Sequence, residues 1–116
     1  ESNGPLTRER GLSVAEDILV SHPDVRGIYG ANDELGLGAS QAVGTAGLLG
    51  QVLVTGMNGV PPAIAAVRRG DMGLTVNLNP VAWGRLGVDT MMAYLDVQTI
   101  EQQVFIQHEL IDASGD

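Results

Sequence analysis

Apolar and polar positions follow two rhythms along this chain, and the switches between them mark its elements. Leu12, Ala15, Ile18 and Leu19 fall on one stripe at helical spacing, with Thr7 placed to cap the first turn and Pro23 to close the run. A short apolar run over residues 27–31 stops at Asn32-Asp33-Glu34, and a helical pattern resumes from about Glu34. Leu35, Ala39, Ala42, Val43 and Ala46 form its inward face, Gly36, Gly38 and Ala39 permit close packing on a sheet, and Gly47 is placed to end it. This is a buried strand feeding a helix through a polar turn, the building unit of open α/β sheets.

The same grammar recurs downstream. Residues 51–55 are apolar and β-branched and read as a second strand, followed by Gly56-Met57-Asn58-Gly59 and by Pro61-Pro62 at a helix start. That helix covers 63–69, with Arg68 and Arg69 at its negative end and Gly70 as its stop. Residues 74–76 give a third strand, ending in Asn77-Leu78-Asn79-Pro80, and residues 81–94 a further helix with Leu86, Val88, Met91, Met92 and Leu95 as its apolar positions. Over 103–111, Val104, Ile106, His108 and Leu110 alternate with Phe105, Gln107 and Glu109, which predicts an edge strand. Residues 112–116 read as a frayed tail. The order α-β-α-β-α-β-α-β with short links predicts an α/β fold. Its form is a three-layer sandwich with a short, mainly parallel sheet and right-handed crossovers, in a single domain over residues 1–116.

Composition narrows the function classes. The 116 residues, 44% hydrophobic and 17% charged, suffice for one core. The net charge of −8 and the scattered arginines argue against a nucleic-acid partner, so the acidity serves solubility. No stretch is long and apolar enough to span a membrane as a helix. Cysteine is absent, which removes disulfide and thiol chemistry. The opening Glu-Ser-Asn-Gly-Pro reads as the interior of a longer protein.

In open α/β sheets ligands meet the protein at the carboxyl ends of strands, where Asn32 and Asp33 lie. Asn32 can offer a ligand hydroxyl both a donor and an acceptor. The competing reading is a plain helix start with Asp33 as the cap. Gly56-Met57-Asn58-Gly59 sits where a phosphate-cradling turn would, but lacks the spacing and lysine of a P-loop, and Gly36-Leu37-Gly38 is followed by Gln41 where a dinucleotide fingerprint needs glycine. His22 and His108 have no ligand-spaced partner, so no metal is expected. No serine sits in a nucleophile turn, and neither a catalytic group nor a cofactor is expected. Met57, Met72, Met91 and Met92 read as core filler.

Taken in order, Arg8-Glu9-Arg10-Gly11-Leu12, His22-Pro23-Asp24-Val25, Ala31-Asn32-Asp33-Glu34-Leu35-Gly36-Leu37-Gly38-Ala39, Val54-Thr55-Gly56-Met57-Asn58-Gly59 and Ala66-Val67-Arg68-Arg69-Gly70-Asp71-Met72 resemble one family. It is the type I periplasmic sugar-binding proteins, the ribose- and galactose-binding group that serves ABC importers. The resemblance runs from about Leu6 to Ile111, with the Ala-Asn-Asp-Glu block as its most specific part. It implies a carboxyl-terminal fragment of the second lobe of an exported, periplasmic or extracellular protein. That protein closes on a sugar and works with an ABC transporter permease. It also implies that Arg8 and Asn32 hydrogen-bond ligand hydroxyls, and that Asn58 stands where the family carries an aspartate. Leu6 replaces a common aromatic; Leu78, flanked by Asn77 and Asn79, replaces a frequent glutamine. The ligand-binding candidates are therefore Arg8, Asn32, Asn58, Asn77 and Asn79.

The resemblance further implies that the strand at 27–31 lacks a neighbour and that the helix at 81–94 belongs to the other lobe. A homo-oligomer, a dimer paired through that open edge, is the expected consequence. Two other readings stand beside the importer one. The effector-binding core of a LacI-type transcription regulator shares the fold and the Asn-Asp-Glu block, although residues 63–76 fit the transport proteins better. The third is a self-associating piece that binds no solute.

Overall fold

The structure, a computed structural model, describes residues 4–114. The helices are α1 (Arg8–Ser21), α2 (Asp33–Thr45), α3 (Pro61–Arg69) and α4 (Pro80–Leu95); the strands are β1 (Gly27–Tyr29), β2 (Leu53–Asn58), β3 (Leu74–Asn77) and β4 (Glu109–Asp112). They form one sheet in the order β1-β2-β3-β4, in which β1, β2 and β3 run parallel and β4 returns antiparallel beside β3. The α/β class and the mainly parallel sheet are as the sequence pattern predicts.

Helix ends follow local chemistry. Thr7 Oγ1 accepts the Arg10 amide at 3.3 Å, which caps α1, and the His22 amide closes on the Ile18 carbonyl just before Pro23. Pro61 opens α3, and Gly70 ends it in a left-handed conformation, φ 82°.

Strand limits depart further from expectation. β2 begins at Leu53 rather than at residue 51, because the Gln51 and Val52 amides are both turned onto the Leu48 carbonyl. It runs on to Asn58 because Gly56, Met57 and Asn58 pair with Thr75, Val76 and Asn77. The strand expected over 103–111 is confined to Glu109–Asp112, since β3 offers only Leu74–Asn77 as a ladder. Asp112 is not part of a frayed tail: it pairs with Leu74, and its carboxylate accepts from the Ser114 amide at 2.8 Å. Residues 115–116 lie outside the described part.

The core lies on one side of the sheet. Val54 is buried, as are Ala39, Ala42 and Val43 of α2, Ala63, Ala66 and Val67 of α3, Ala15 of α1, and Met72. Because strand side chains alternate, the opposite sheet face carries Tyr29, Leu53 and Leu110, all exposed. This region therefore supplies a helix layer and a sheet, with the second sheet face uncovered. Gly36 of α2 meets β2, whereas Gly38 meets α1. A Cβ on Gly38 would sit 2.0 Å from the Arg8 carbonyl oxygen, so the two helices touch backbone to backbone.

Helix α4 behaves differently. None of its residues is buried, and it makes no extended packing with another helix or strand. It lies beside the segment that follows it, forming an apolar trough of about 600 Å³ lined by Trp83, Met91, Tyr94, Ile100 and Val104 among others. The Trp83 and His108 rings stand 5.9 Å apart. The projection of α4 gives a radius of gyration of 17.7 Å, against about 13 Å for a compact domain of this length. Met91 and Met92 are exposed, so of the methionines predicted as core filler only Met72 is buried.

Candidate functional site

The parallel strands all point their carboxyl ends the same way, and each hands the chain to a helix there. Asn58 and Asn77 are register partners at the ends of β2 and β3, and Asn77 faces Glu109 at the start of β4. Neighbouring strands lie about 4.8 Å apart, so these side chains form one short row along the sheet rim. The starts of α2, α3 and α4 gather at the same rim, each directly after the carboxyl end of a parallel strand.

Arg8 and Asn32 occupy the corner where α1 meets the β1–α2 turn. The Asn32 Oδ1 accepts the Leu35 amide at 2.9 Å and so caps α2, while Nδ2 donates to the Leu6 carbonyl at 3.3 Å. Asn32, not Asp33, is thus the cap, because its extended backbone swings the amide back over the first turn. Arg8 makes a two-armed contact with Glu34, Nε to Oε2 at 3.2 Å and Nη2 to Oε1 at 3.0 Å. Both side chains are nearly half exposed, which makes the pair an orienting contact more than a source of stability.

Along the rest of the rim, amides are committed to different degrees. Asn77 Nδ2 donates to Glu109 Oε2 at 3.2 Å, and its Oδ1 accepts the Asn79 amide at 3.0 Å. Asn79 Oδ1 accepts the Ala82 amide at 3.2 Å, capping α4 from a left-handed backbone, φ 49°. Asn58 is exposed, and its side chain has no hydrogen-bond partner among the described residues. Its backbone φ of 135° is unusual for a residue with a Cβ, and Gly59 follows with φ 71°.

Behind the rim lies Asp33, which is fully buried. Its Oδ1 accepts the Thr75 hydroxyl at 2.6 Å and its Oδ2 the Val60 amide at 2.8 Å. The Thr75 oxygen in turn accepts the Gly59 amide at 3.3 Å. Expecting Asp33 to be a helix cap was therefore wrong: it points inward, and the strand and turn it meets are far away in sequence. No group of acidic or histidine side chains suited to a metal ion occurs among the described residues.

The candidates thus fall into two sets on one rim, Arg8 with Asn32 at the corner, and Asn58, Asn77 and Asn79 along β2 and β3. Sequence reasoning missed Glu109 and the part Glu34 plays. Glu109 was legible only as one position of an alternating run, because its place at the rim follows from the antiparallel return of β4. Glu34 was visible as an acid at a helix start, but its tie to Arg8 depends on how α1 crosses α2.

Residues 2–99 match the family model described as periplasmic binding protein domain. The chain belongs to that family. The D-allose-binding periplasmic protein of Escherichia coli is 41% identical over 85 residues, which are 73% of this chain and 27% of that protein. The ribose import binding protein RbsB of Escherichia coli is 34% identical over 104 residues, 90% of this chain and 35% of that protein. Among solved structures, a solute-binding protein of Actinobacillus succinogenes with bound D-allose superposes with a TM-score of 0.87 at 32% identity, over 94% of this chain and 39% of that one. A periplasmic ribose transporter protein from Conexibacter woesei gives 0.89 at 31%, over 96% and 38%. This chain therefore spans about a third of the length of these relatives. Two of these proteins are described with D-allose and two with ribose transport or import, in keeping with the importer reading.

Proposed function

We propose that this chain forms one wall of a sugar-binding cleft in a longer importer binding protein. In that protein Arg8, Asn32, Asn58, Asn77 and Asn79 line the rim that meets the sugar. What supports this most is the uncommitted amide of Asn58, lying between committed neighbours at the carboxyl ends of parallel strands. A sugar hydroxyl both donates and accepts, which an asparagine amide matches from either end. The Arg8 guanidinium, oriented by Glu34, adds donors at the corner, and the Glu109 carboxylate adds acceptors beyond Asn77. The ligand class is an aldose of the ribose or allose kind, by likeness to the named relatives. The parent protein works in the periplasm with an ABC permease, and no catalytic step is required of it.

Closure on a ligand needs both lobes, so the isolated chain binds weakly. Calorimetry with a panel of pentoses and hexoses tests this on the full-length protein and on the chain alone. Binding to the full-length protein, and at least a hundredfold weaker binding to the isolated chain, is the expected pattern. A full-length protein that binds none of the panel would overturn the reading.

A second reading concerns the isolated chain. Among the described residues the outer edge of β1 is unpaired, and the α4 stripe is exposed, which favours association of two copies along the β1 edge. Light scattering across concentrations separates a dimer from a monomer.

A further inference from the structure

We propose that Asp33 and Thr75 act together as a positioning clamp that holds the Asn58–Gly59 turn in its ligand-facing shape. The proposal rests on the sugar-cleft reading for its consequence, not for its geometry. Asn58 and Gly59 take successive positive φ values of 135° and 71°, a shape that a turn keeps only when its surroundings over-determine it. Two amides at the far side of this turn are held from within the protein. Gly59 donates to Thr75 Oγ1 at 3.3 Å, and Val60 donates to Asp33 Oδ2 at 2.8 Å. The Thr75 hydroxyl donates to Asp33 Oδ1 at 2.6 Å, which closes the circuit. Both side chains are fully buried, so water does not compete for these bonds.

The clamp joins three elements that each carry a rim residue. Asp33 follows Asn32, Thr75 lies two residues before Asn77, and the clamped turn contains Asn58. Space for the carboxylate comes from Gly56, where a Cβ would lie 2.4 Å from Asp33 Oδ1. Neither Asp33 nor Thr75 reaches the rim surface, so neither is proposed to touch the sugar. Their effect passes through the backbone of residues 58–60.

The test uses the full-length protein and the near-isosteric Thr75→Val, which removes both the hydroxyl that bonds Asp33 and the oxygen that accepts Gly59. Thr75→Ser keeps both. Sugar affinity is measured well below the melting temperature, so that only folded molecules are read, together with amide exchange at Gly59 and Val60. Expected are at least a tenfold loss of affinity in Thr75→Val, recovery to within about threefold of the parent in Thr75→Ser, and faster exchange at Gly59 and Val60 but not in α1. A merely structural role would lower the melting temperature while leaving affinity within twofold, and that result overturns the clamp. So does a serine variant as impaired as the valine one. If the unaltered protein binds no sugar, the cleft reading fails and the exchange data alone decide the clamp. Should Thr75→Val not fold, exchange in the unaltered protein decides: protection of both amides comparable to β2 supports it, and free exchange refutes it.

Discussion

Helices α2 and α4 are of similar length, 13 and 16 residues, and both contain glycine, yet they meet opposite fates. Seven residues of α2 are buried, whereas α4 buries none despite Val81, Leu86, Val88, Met91, Met92 and Leu95. The difference is not apolar content. In α2 the glycines let neighbouring backbones approach, with Gly36 against β2 and Gly38 against α1. In α4 a Cβ on Gly84 or Gly87 would meet nothing within 4 Å. Burial here is decided by what lies opposite a helix, and α4 has only the segment after it to lean on. The same substitution should therefore carry opposite signs in the two places.

Gly38→Ala is the strongest way to break the comparison. The added methyl collides with the Arg8 carbonyl and the Leu12 amide of α1, which are backbone atoms and cannot rotate away. We expect a loss of about 3 kcal/mol in chemical denaturation, with α1 displaced. A loss under a few tenths would mean that α1 is not seated on α2. Next comes a matched pair of methionines. Met72→Ala empties a core position at 2% exposure and should cost about 2–3 kcal/mol. Met91→Ala, at 58% exposure, should change stability by less than about 0.5 kcal/mol. Equal effects would show that α4 is covered in solution.

In the other direction, Gly84→Ala should strengthen α4 by about 0.5–1 kcal/mol, because it removes backbone freedom without meeting a neighbour. Slower amide exchange confined to α4 is the readout. The smallest effect concerns the chain's end. The Asp112 carboxyl is held below its ordinary value of 3.8, first by the Ser114 hydroxyl and then by the Ser114 amide. Lowering a carboxyl's folded value gives a contribution present above pH 3.8 and lost as pH falls through the lowered value. Ser114→Ala should move the Asp112 titration, followed by NMR, upward towards 3.8, with no effect on α1 to α3. An unmoved titration would mean that the Ser114 hydroxyl does not bond the Asp112 carboxylate.

How much of this was readable beforehand depended on how local the cause was. Thr7, Pro61 and Gly70 act on their own turn, so their roles could be read from residue type. The strand at 53–58 was misplaced because its lower end depends on a turn at Leu48 and its upper end on pairing with β3. At the rim, Asn32 and Asn58 were legible from their place after apolar strands. The two jobs within Asn-Asp-Glu were not separable, since a cap and a buried clamp use the same chemistry, and only the distant Thr75 and Val60 tell them apart. For α4 the apolar stripe was legible, but sequence spacing carries no information about a partner surface.

Trp83 is the sole tryptophan of the chain, and it sits on α4 against His108, away from the packed core. Intrinsic fluorescence therefore watches the projecting arm, while far-ultraviolet dichroism reads all four helices and the sheet together. Melting curves recorded by these two probes on one sample follow different events. Their failure to superimpose would report the looseness of the arm rather than an intermediate in the folding of the body.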